Sequence, residues 1–162
     1  MMKEIKTREE IFEIRKQLRT EKKKVVFTNG VFDILHSGHV DYLTKSKALG
    51  DVLIVGLNSD KSVKNIKGDK RPIISQDNRA IILASLKPVD FVVLFDEDTP
   101  AMLIDTIIPD VLVKGEDWSI DKIEGRETVI KNGGEVKNIK FVNEQSTSKI
   151  IKKILRLYNE DT

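Results

Sequence analysis

Short apolar runs alternate with helix-patterned segments along this chain, and that alternation most limits the folds open to it. The runs are rich in Val, Ile, Leu and Phe and lie at residues 24–29, 51–58, 90–95, 110–115 and 135–142. Taken together they are apolar along their length, which is typical of parallel strands covered on both faces. The sequence therefore predicts a doubly wound α/β fold with a five-stranded parallel sheet.

Helical patterns separate the apolar runs. Thr7 followed by Glu10 has the spacing of a capping box, and it precedes a predicted helix at 8–20. Further helices are predicted at 38–49, 77–86, about 100–107, 126–131 and 146–158, with a helical turn and an exposed loop at 59–73. We expect one Rossmann-like domain over 1–162, in which an N-terminal helix within 1–22 precedes the first strand.

Composition excludes several classes of protein. The 28 basic and 26 acidic residues nearly cancel, whereas a nucleic-acid binder usually carries a basic excess. The absence of cysteine rules out disulfides, thiolate catalysis and cysteine-held zinc. No run reaches the length of a membrane span, and the charged N-terminal residues MMKEIKTREE do not form a signal peptide. We therefore expect a cytoplasmic protein that binds neither nucleic acid nor a membrane.

The end of the first predicted strand carries both histidines of the chain, in TNGVFDILHSGH at 28–39. Gly30 allows the backbone to turn close to a ligand, and Gly38 stands where a helix begins. Free N–H groups at a helix start attract anions, so two imidazoles beside it predict a phosphate site. Two alternatives remain: a histidine pair that caps or packs, and a metal site formed with Asp33.

GVFDILHSGH resembles the nucleotidyltransferase superfamily that is marked by H-x-G-H. The segments LGDVLIVGLNSD, KGDKRPIISQDNRAIIL, DVLVKGEDW and NGGEVKNIKFVNEQSTSKIIKKI are similar to successive blocks of one subgroup. That subgroup is the D-glycero-β-D-manno-heptose 1-phosphate adenylyltransferases, and the resemblance extends over nearly the whole chain. Its adenylyltransferase domain is often fused to a sugar kinase, for which 162 residues leave no room, so we expect the stand-alone form.

The resemblance implies catalytic roles for His36, His39 and Lys67. It implies a nucleotide-binding set that includes both histidines and Thr28, Asn29, Gly30, Val31, Phe32, Gly38, Arg79, Lys114, Gly115, Asp117, Ser146 and Thr147. Arg71 is a weaker candidate for a phosphate contact, and Trp118 is interpreted as a hydrophobic plug rather than a stacking platform. Two departures stand out: Ser148 replaces the usual threonine, and Asn143-Glu144-Gln145 replaces a segment with arginine and glycine in many relatives.

The expected reaction is adenylyl transfer from ATP to the heptose 1-phosphate, by direct in-line attack and without a covalent enzyme intermediate. A phosphate monoester is largely ionised near neutral pH, so no strong base is required. Mg²⁺ is expected to travel with ATP, a separate heptose kinase to supply the acceptor, and the helices at 8–20 and 146–158 to pair in a homodimer. The alternatives are a cytidylyltransferase acting on glycerol 3-phosphate or a similar alcohol phosphate, a non-catalytic nucleotide-binding regulator, and a metal-dependent hydrolase built on Asp33, His36 and His39.

Overall fold

The computed structural model describes residues 4–116, 118–140 and 145–159. Strands and α-helices alternate in it, except that two helices, α3 and α4, separate β3 from β4. The elements are β1 Ile5–Lys6, α1 Arg8–Thr20, β2 Val25–Gly30, α2 Ser37–Lys47, β3 Val52–Asn58, α3 Asp60–Lys67, α4 Gln76–Ala84, β4 Phe91–Phe95, α5 Ala101–Ile107, β5 Val111–Gly115, α6 Arg126–Lys131, β6 Glu135–Ile139 and α7 Thr147–Asn159, with a short 3₁₀ helix at Ile120–Lys122. Across these ranges, each helix is too short or too polar to cross a bilayer.

The strands form one parallel sheet in the order β1-β4-β3-β2-β5-β6. The chain winds outward from β2 through β3 and β4, then returns to place β5 on the other side of β2. This reversal opens a crevice at the carboxyl ends of β2 and β5, which is where ligands bind in such sheets. The predicted Rossmann-like α/β fold is confirmed.

The predicted strand number is wrong by one. The extra strand, β1, has two residues and pairs Ile5 with Val92 and Lys6 with Val93 of β4. It precedes α1, so the expectation that the N-terminal helix comes before the first strand is also wrong. Two residues carry no periodic pattern, so β1 could not be recognised from the sequence. The segment after β3 also differs, because α3 is a helix of 8 residues rather than a single turn.

Helices cover both faces of the sheet. On one face Val26 and Val55 pack with Leu43 of α2 and Leu83 of α4 in a continuous buried cluster. On the other, strand residues that include Phe27 and Ile54 pack against α1, α5 and α6; the helix contacts come from Ile11, Ile104 and Val129. Neighbouring residues of β2 thus point to opposite layers, as the strand period of two requires.

Helix α1 is anchored to the rest of the chain by its N-cap and by a buried arginine. Its capping box is present, since Thr7 Oγ1 accepts from the Glu10 amide and the Glu10 carboxylate accepts from the Thr7 amide. The buried Arg15 donates to the carbonyls of Ile107 and Ile108 at 3.0 and 2.9 Å. Helix α7 is more exposed, because Ile154, Leu155 and Leu157 each keep about half of their surface open.

Candidate active site

The loop between β2 and α2 adopts a costly backbone conformation. Phe32 and Ile34 have φ angles of 47° and 52°, in a backbone region that residues other than glycine seldom occupy. Each such residue costs on the order of 1–3 kcal/mol, and strain of this kind is concentrated at functional sites. The turn buries the Phe32 ring beneath Gly30 and sets it 5.4 Å from the His39 ring, measured between centroids.

The two imidazoles stack on each other at the start of α2. Their ring centroids lie 3.9 Å apart with 29° between the planes. The His36 amide donates to Nδ1 of His39 at 3.4 Å, and the His39 amide donates to the His36 carbonyl at 2.9 Å. Because Nδ1 of neutral His39 accepts a hydrogen bond, the network assigns its proton to Nε2, which is then a donor.

Both imidazoles are neutral at neutral pH. Burial lowers the pKa of His36, and burial together with the nearby His36 lowers the pKa of His39 to about 4. Nδ1 of His36 is buried and has no hydrogen-bond partner among the described residues. A buried nitrogen without a partner is costly unless a ligand or water supplies one. The pair is thus suited to donate hydrogen bonds to a bound anion without carrying charge itself.

Asp33 is not available to complete a metal site with these histidines. Its side chain is fully buried, and both carboxylate oxygens already accept hydrogen bonds, from Arg71 and from the amides of Ile73 and Ile74. Within the described ranges no three His, Asp or Glu side chains are grouped as a metal would require. The geometry therefore gives no support to a hydrolase built on Asp33, His36 and His39.

Arg79 is a buried residue and not a surface arginine of an amphipathic helix. Its side chain is 1% exposed, and its guanidinium donates to the carbonyls of Val31, Asn58 and Ile74 at 2.6, 2.9 and 2.9 Å. It also pairs with Asp60 at 2.7 Å. Arg79 therefore ties the carboxyl ends of β2 and β3 to the start of α4, and it fixes the backbone of Val31 beside the imidazoles.

Lys67 is the last residue of α3, and the structure leaves its side chain exposed. It makes no hydrogen bond or ion pair with any other described residue. Gly68 follows with a φ of 88°, which turns the chain toward Arg71. The structure thus connects Lys67 to the imidazole loop through this turn and not by direct contact.

The end of β5 supplies a cation to the crevice. Lys114 Nζ donates to the Asn29 side chain at 2.5 Å, which bridges the ends of β5 and β2. The same ammonium lies 5.4 Å from the centroid of the Trp118 ring, and that ring is 48% exposed. Trp118 is therefore not a hydrophobic plug, and this part of the prediction is wrong. Gly115 ends β5, and Asp117 lies outside the described residues.

Thr28 lies beneath the crevice rather than in it. Its side chain is fully buried and its hydroxyl is 2.7 Å from the Tyr42 hydroxyl, which donates to the Val113 carbonyl at 3.3 Å. Thr28 shares the sheet face of Val26, since it is two residues further along β2. Tyr42 was missed by sequence reasoning; its place on the buried face of α2 was the only available signal.

The start of α7 meets the imidazole loop. Ser146 Oγ accepts from the Lys149 amide at 3.2 Å, so the expected N-cap is present. The Thr147 hydroxyl donates to the Asp33 carbonyl. The Gln145 carbonyl lies 3.9 Å from a Cβ built on Gly38. Of the predicted loop before the helix, Asn143 and Glu144 lie outside the described residues.

The structure therefore brings together most of the predicted site residues at one edge of the sheet. His36, Gly38, His39, Asn29, Gly30, Val31, Phe32, Lys114, Gly115, Ser146 and Thr147 lie at or next to the carboxyl ends of β2 and β5 or the starts of α2 and α7. Asp33 and Arg71 join them as organising residues; the sequence offered Asp33 only as part of an alternative metal site and Arg71 as a weaker phosphate contact.

Comparison with known proteins shows the family of the chain. A family model described as cytidylyltransferase-like matches residues 27–153. The bifunctional protein HldE of Citrifermentans bemidjiense is 60% identical over 136 residues, which cover 84% of this chain and 28% of that protein. HldE of Helicobacter pylori is 52% identical over 157 residues, which cover 95% of this chain and 33% of that protein. The chain thus spans about a third of the length of these curated relatives.

Two solved structures are similar to this chain in fold. The lipopolysaccharide core biosynthesis protein from Thermoplasma volcanium has a TM-score of 0.61 at 32% identity, over 76% of this chain and 99% of that one. Pantoate-beta-alanine ligase from Francisella tularensis has a TM-score of 0.59 at 17% identity, over 89% and 68%, and shows likeness of fold alone. With its H-x-G-H pair at the switch point of the sheet, the chain belongs to the cytidylyltransferase-like family and is a nucleotidyltransferase.

Proposed function

We propose that this nucleotidyltransferase transfers an adenylyl group from ATP to D-glycero-β-D-manno-heptose 1-phosphate. The observation that carries the proposal is the stacked, partly buried and neutral imidazole pair at the N-terminus of α2. Such a pair offers N–H donors to phosphate oxygens where helix-end amides also attract anions. The acceptor is named from the sequence resemblance, and the likeness to a solved lipopolysaccharide core biosynthesis protein supports this choice of acceptor.

The reaction requires alignment and charge stabilisation more than a base. An oxygen of the sugar phosphate attacks the α-phosphorus of ATP, the bond to the bridging oxygen breaks, and pyrophosphate leaves with the electron pair. The attacking phosphate is already an anion near neutral pH, so no proton has to be removed from it. Transfer in a single in-line step accounts for the product ADP-heptose without a covalent enzyme intermediate.

Each residue at the crevice has a proposed part in holding the phosphates. His39 donates from Nε2 and His36 donates beside it as negative charge moves toward the leaving pyrophosphate. The N-terminal turn of α2 and the cap residues Ser146 and Thr147 bind the same group. Lys67 adds a cation from the end of α3, and Lys114 neutralises charge on the opposite side.

Mg²⁺ is proposed to arrive with ATP as part of the substrate. The described residues do not offer a group of three acids and imidazoles for a resident metal, and both oxygens of Asp33 are occupied. Mg²⁺ commonly binds through substrate phosphates and water rather than through an all-protein cage. We also propose that residues 1–162 act as one nucleotidyltransferase domain, since β1 and the family-matched strands share one sheet.

A second candidate is cytidylyl transfer to glycerol 3-phosphate or a similar alcohol phosphate, which the description of the matching family favours. The contacts proposed at the crevice are with phosphates and so do not distinguish adenine from cytosine. A non-catalytic nucleotide-binding regulator would keep the same phosphate contacts but would form no product.

A product assay separates these functions. The protein is incubated with Mg²⁺, with ATP or CTP, and with the β-heptose 1-phosphate, its α anomer, glucose 1-phosphate or glycerol 3-phosphate, and products are identified by mass. ADP-heptose from the β anomer, lost in a His36→Ala/His39→Ala double variant, is the expected result. CDP-glycerol as the main product would establish the second candidate. Tight ATP binding without any product would indicate the regulator.

A further inference from the structure

Asp33 is a buried acid for which adenylyl transfer supplies no chemical task. Burial alone would raise its pKa, but hydrogen bonds from the Ile73 and Ile74 amides and from Arg71 outweigh burial and hold the pKa below its usual range. Asp33 is therefore an ionised carboxylate at neutral pH. Its Oδ2 accepts from Arg71 Nε at 2.7 Å and from the Ile73 amide at 2.9 Å, and its Oδ1 accepts from the Ile74 amide at 2.9 Å.

These bonds join two segments that are far apart in the sequence. Arg79 reinforces the junction, because it donates to the carbonyls of both Val31 and Ile74. Residues 31–33 and 71–74 are thus linked by the Asp33 carboxylate on the one hand and by the Arg79 guanidinium on the other. The Thr147 hydroxyl donates to the Asp33 carbonyl, and this hydrogen bond joins the start of α7 to the same two segments. A loop held by this many buried polar contacts has one defined position.

The segment that Asp33 holds is the one that carries the proposed phosphate cation. Lys67 ends α3, and the Arg71 amide donates to the Gly68 carbonyl at 3.1 Å, which closes a turn over 68–71. The side chain of Arg71 then connects this turn to Asp33, three residues before His36. The Arg71 side chain is 18% exposed, so water screens the pair only in part.

We propose that Asp33 and Arg71 are positioning residues whose ion pair holds the 68–71 turn against the imidazole loop, so that Lys67 reaches the phosphates of the bound nucleotide. Neither residue contacts the substrate. The inference rests on the proposed nucleotidyl transfer and on the place given there to Lys67. It differs from a phosphate contact by Arg71, because Arg71 acts through Lys67 and its loss matters only while Lys67 is present.

A double-mutant cycle tests this dependence. Arg71→Ala is expected to lower kcat/KM for ATP about tenfold in the otherwise unchanged protein. In a Lys67→Ala background the same substitution is expected to change kcat/KM less than about twofold, because residues that act as a unit are not additive. Arg71→Lys is expected to recover part of the loss, since it keeps a cation opposite Asp33 but not the guanidinium geometry.

Amide hydrogen exchange supplies a readout that does not need activity. Asp33→Asn removes the anion that accepts from the Ile73 and Ile74 amides, so exchange in a peptide covering 71–74 is expected to become at least about tenfold faster. The matched control is Lys47→Ala, because Lys47 also pairs with a part-buried acid, Asp90, at 2.5 Å, but at the amino end of the strands. This control is expected to leave kcat/KM and exchange in 71–74 unchanged.

Three results would overturn the proposal. The first is an equal loss from Arg71→Ala with and without Lys67, which would place Arg71 itself on the substrate. The second is unchanged exchange at 71–74 in Asp33→Asn. The third is faster exchange at 71–74 in Asp33→Asn together with an unchanged kcat/KM for ATP in Arg71→Ala, which would make the junction purely structural. If the unchanged protein forms no product, the proposed function fails separately, and the same cycle is measured on the Kd of ATP by calorimetry.

Discussion

The imidazole of His36 lies directly over Gly38, so that a Cβ built on residue 38 would be 3.0 Å from both Cε1 and Nδ1 of the ring. This distance is shorter than ordinary contact between carbon atoms. The glycine between the two histidines therefore provides the space in which His36 can stack on His39. The H-x-G-H motif is thus a packing unit as well as a set of hydrogen-bond donors.

Gly38→Ala is expected to separate activity from stability. Alanine favours a helix over glycine by about 1 kcal/mol, so the midpoint of urea unfolding should stay the same or rise. The added methyl group should displace the His36 ring and lower kcat by about tenfold or more. In a His36→Ala background the same substitution should cost nothing further. Near-normal turnover in Gly38→Ala would contradict the packing role.

His39→Ala is expected to lower turnover at least about a hundredfold, while the fold and most of the ATP affinity remain. Two further variants identify the nitrogen that matters. The glutamine amide of His39→Gln can replace a donor at Nε2, whereas His39→Asn places its amide nearer Nδ1. Steady-state kinetics should therefore show more residual activity in the glutamine variant. A reversed order would mean that the proton resides on Nδ1.

The histidine pair should make the protein less stable in mild acid. The pKa of His39 is about 4 in the folded protein, against an ordinary value of 6.5, so the unfolded chain binds more protons between those values. Stability from this residue is therefore fully present above about pH 6.5 and is lost as the pH falls toward about 4. Below that point the loss levels off, because both states are protonated.

Urea unfolding of the unchanged protein and of His39→Gln, at pH 7.5 and 4.5, measures this contribution. The drop in the free energy of unfolding should be smaller in His39→Gln, by on the order of 2 kcal/mol. Carboxylates such as Asp33 also lose stability in acid, but they do so equally in both proteins and cancel in the comparison. Equal drops would show that the pKa of His39 is not depressed.

Arg79→Lys is expected to destabilise the protein by about 2–3 kcal/mol. A lysine ammonium cannot reach the three carbonyls and the Asp60 carboxylate that the buried guanidinium binds. The matched control is Arg19→Lys on the exposed side of α1, where the guanidinium has one long contact of 3.5 Å, and it should stay within about 0.5 kcal/mol. Unchanged stability in Arg79→Lys would contradict the organising role of this arginine.

The sequence predicted those parts of the molecule that leave a local pattern. β2 to β5 are apolar runs bounded by Gly or polar residues, and α1 has a capping box, so their places were readable. The Asp33–Arg71 pair could not be foreseen, because its partners are 38 residues apart and no spacing rule relates them. The burial of Thr28 was readable in principle from the strand period of two, but the family resemblance placed Thr28 in the nucleotide-binding set.

The exposure of Trp118 is a second feature that the sequence could not predict. A lone tryptophan is more often buried than not, yet here Lys114 lies over the ring and the Asn138 side chain donates to the Trp118 carbonyl. These partners come from two different strands, β5 and β6. Their meeting depends on sheet order, which local residue types do not specify.

The two residues of β1 have a consequence for solubility. They pair with Val92 and Val93 on the outer side of β4, whose backbone hydrogen-bonding groups at these positions would otherwise be open to another molecule. The Val92 amide, for instance, donates to the Glu4 carbonyl at 3.0 Å. So small a strand contributes little to the core, but it keeps part of the apolar strand β4 from becoming an open sheet edge that could act as a template for aggregation.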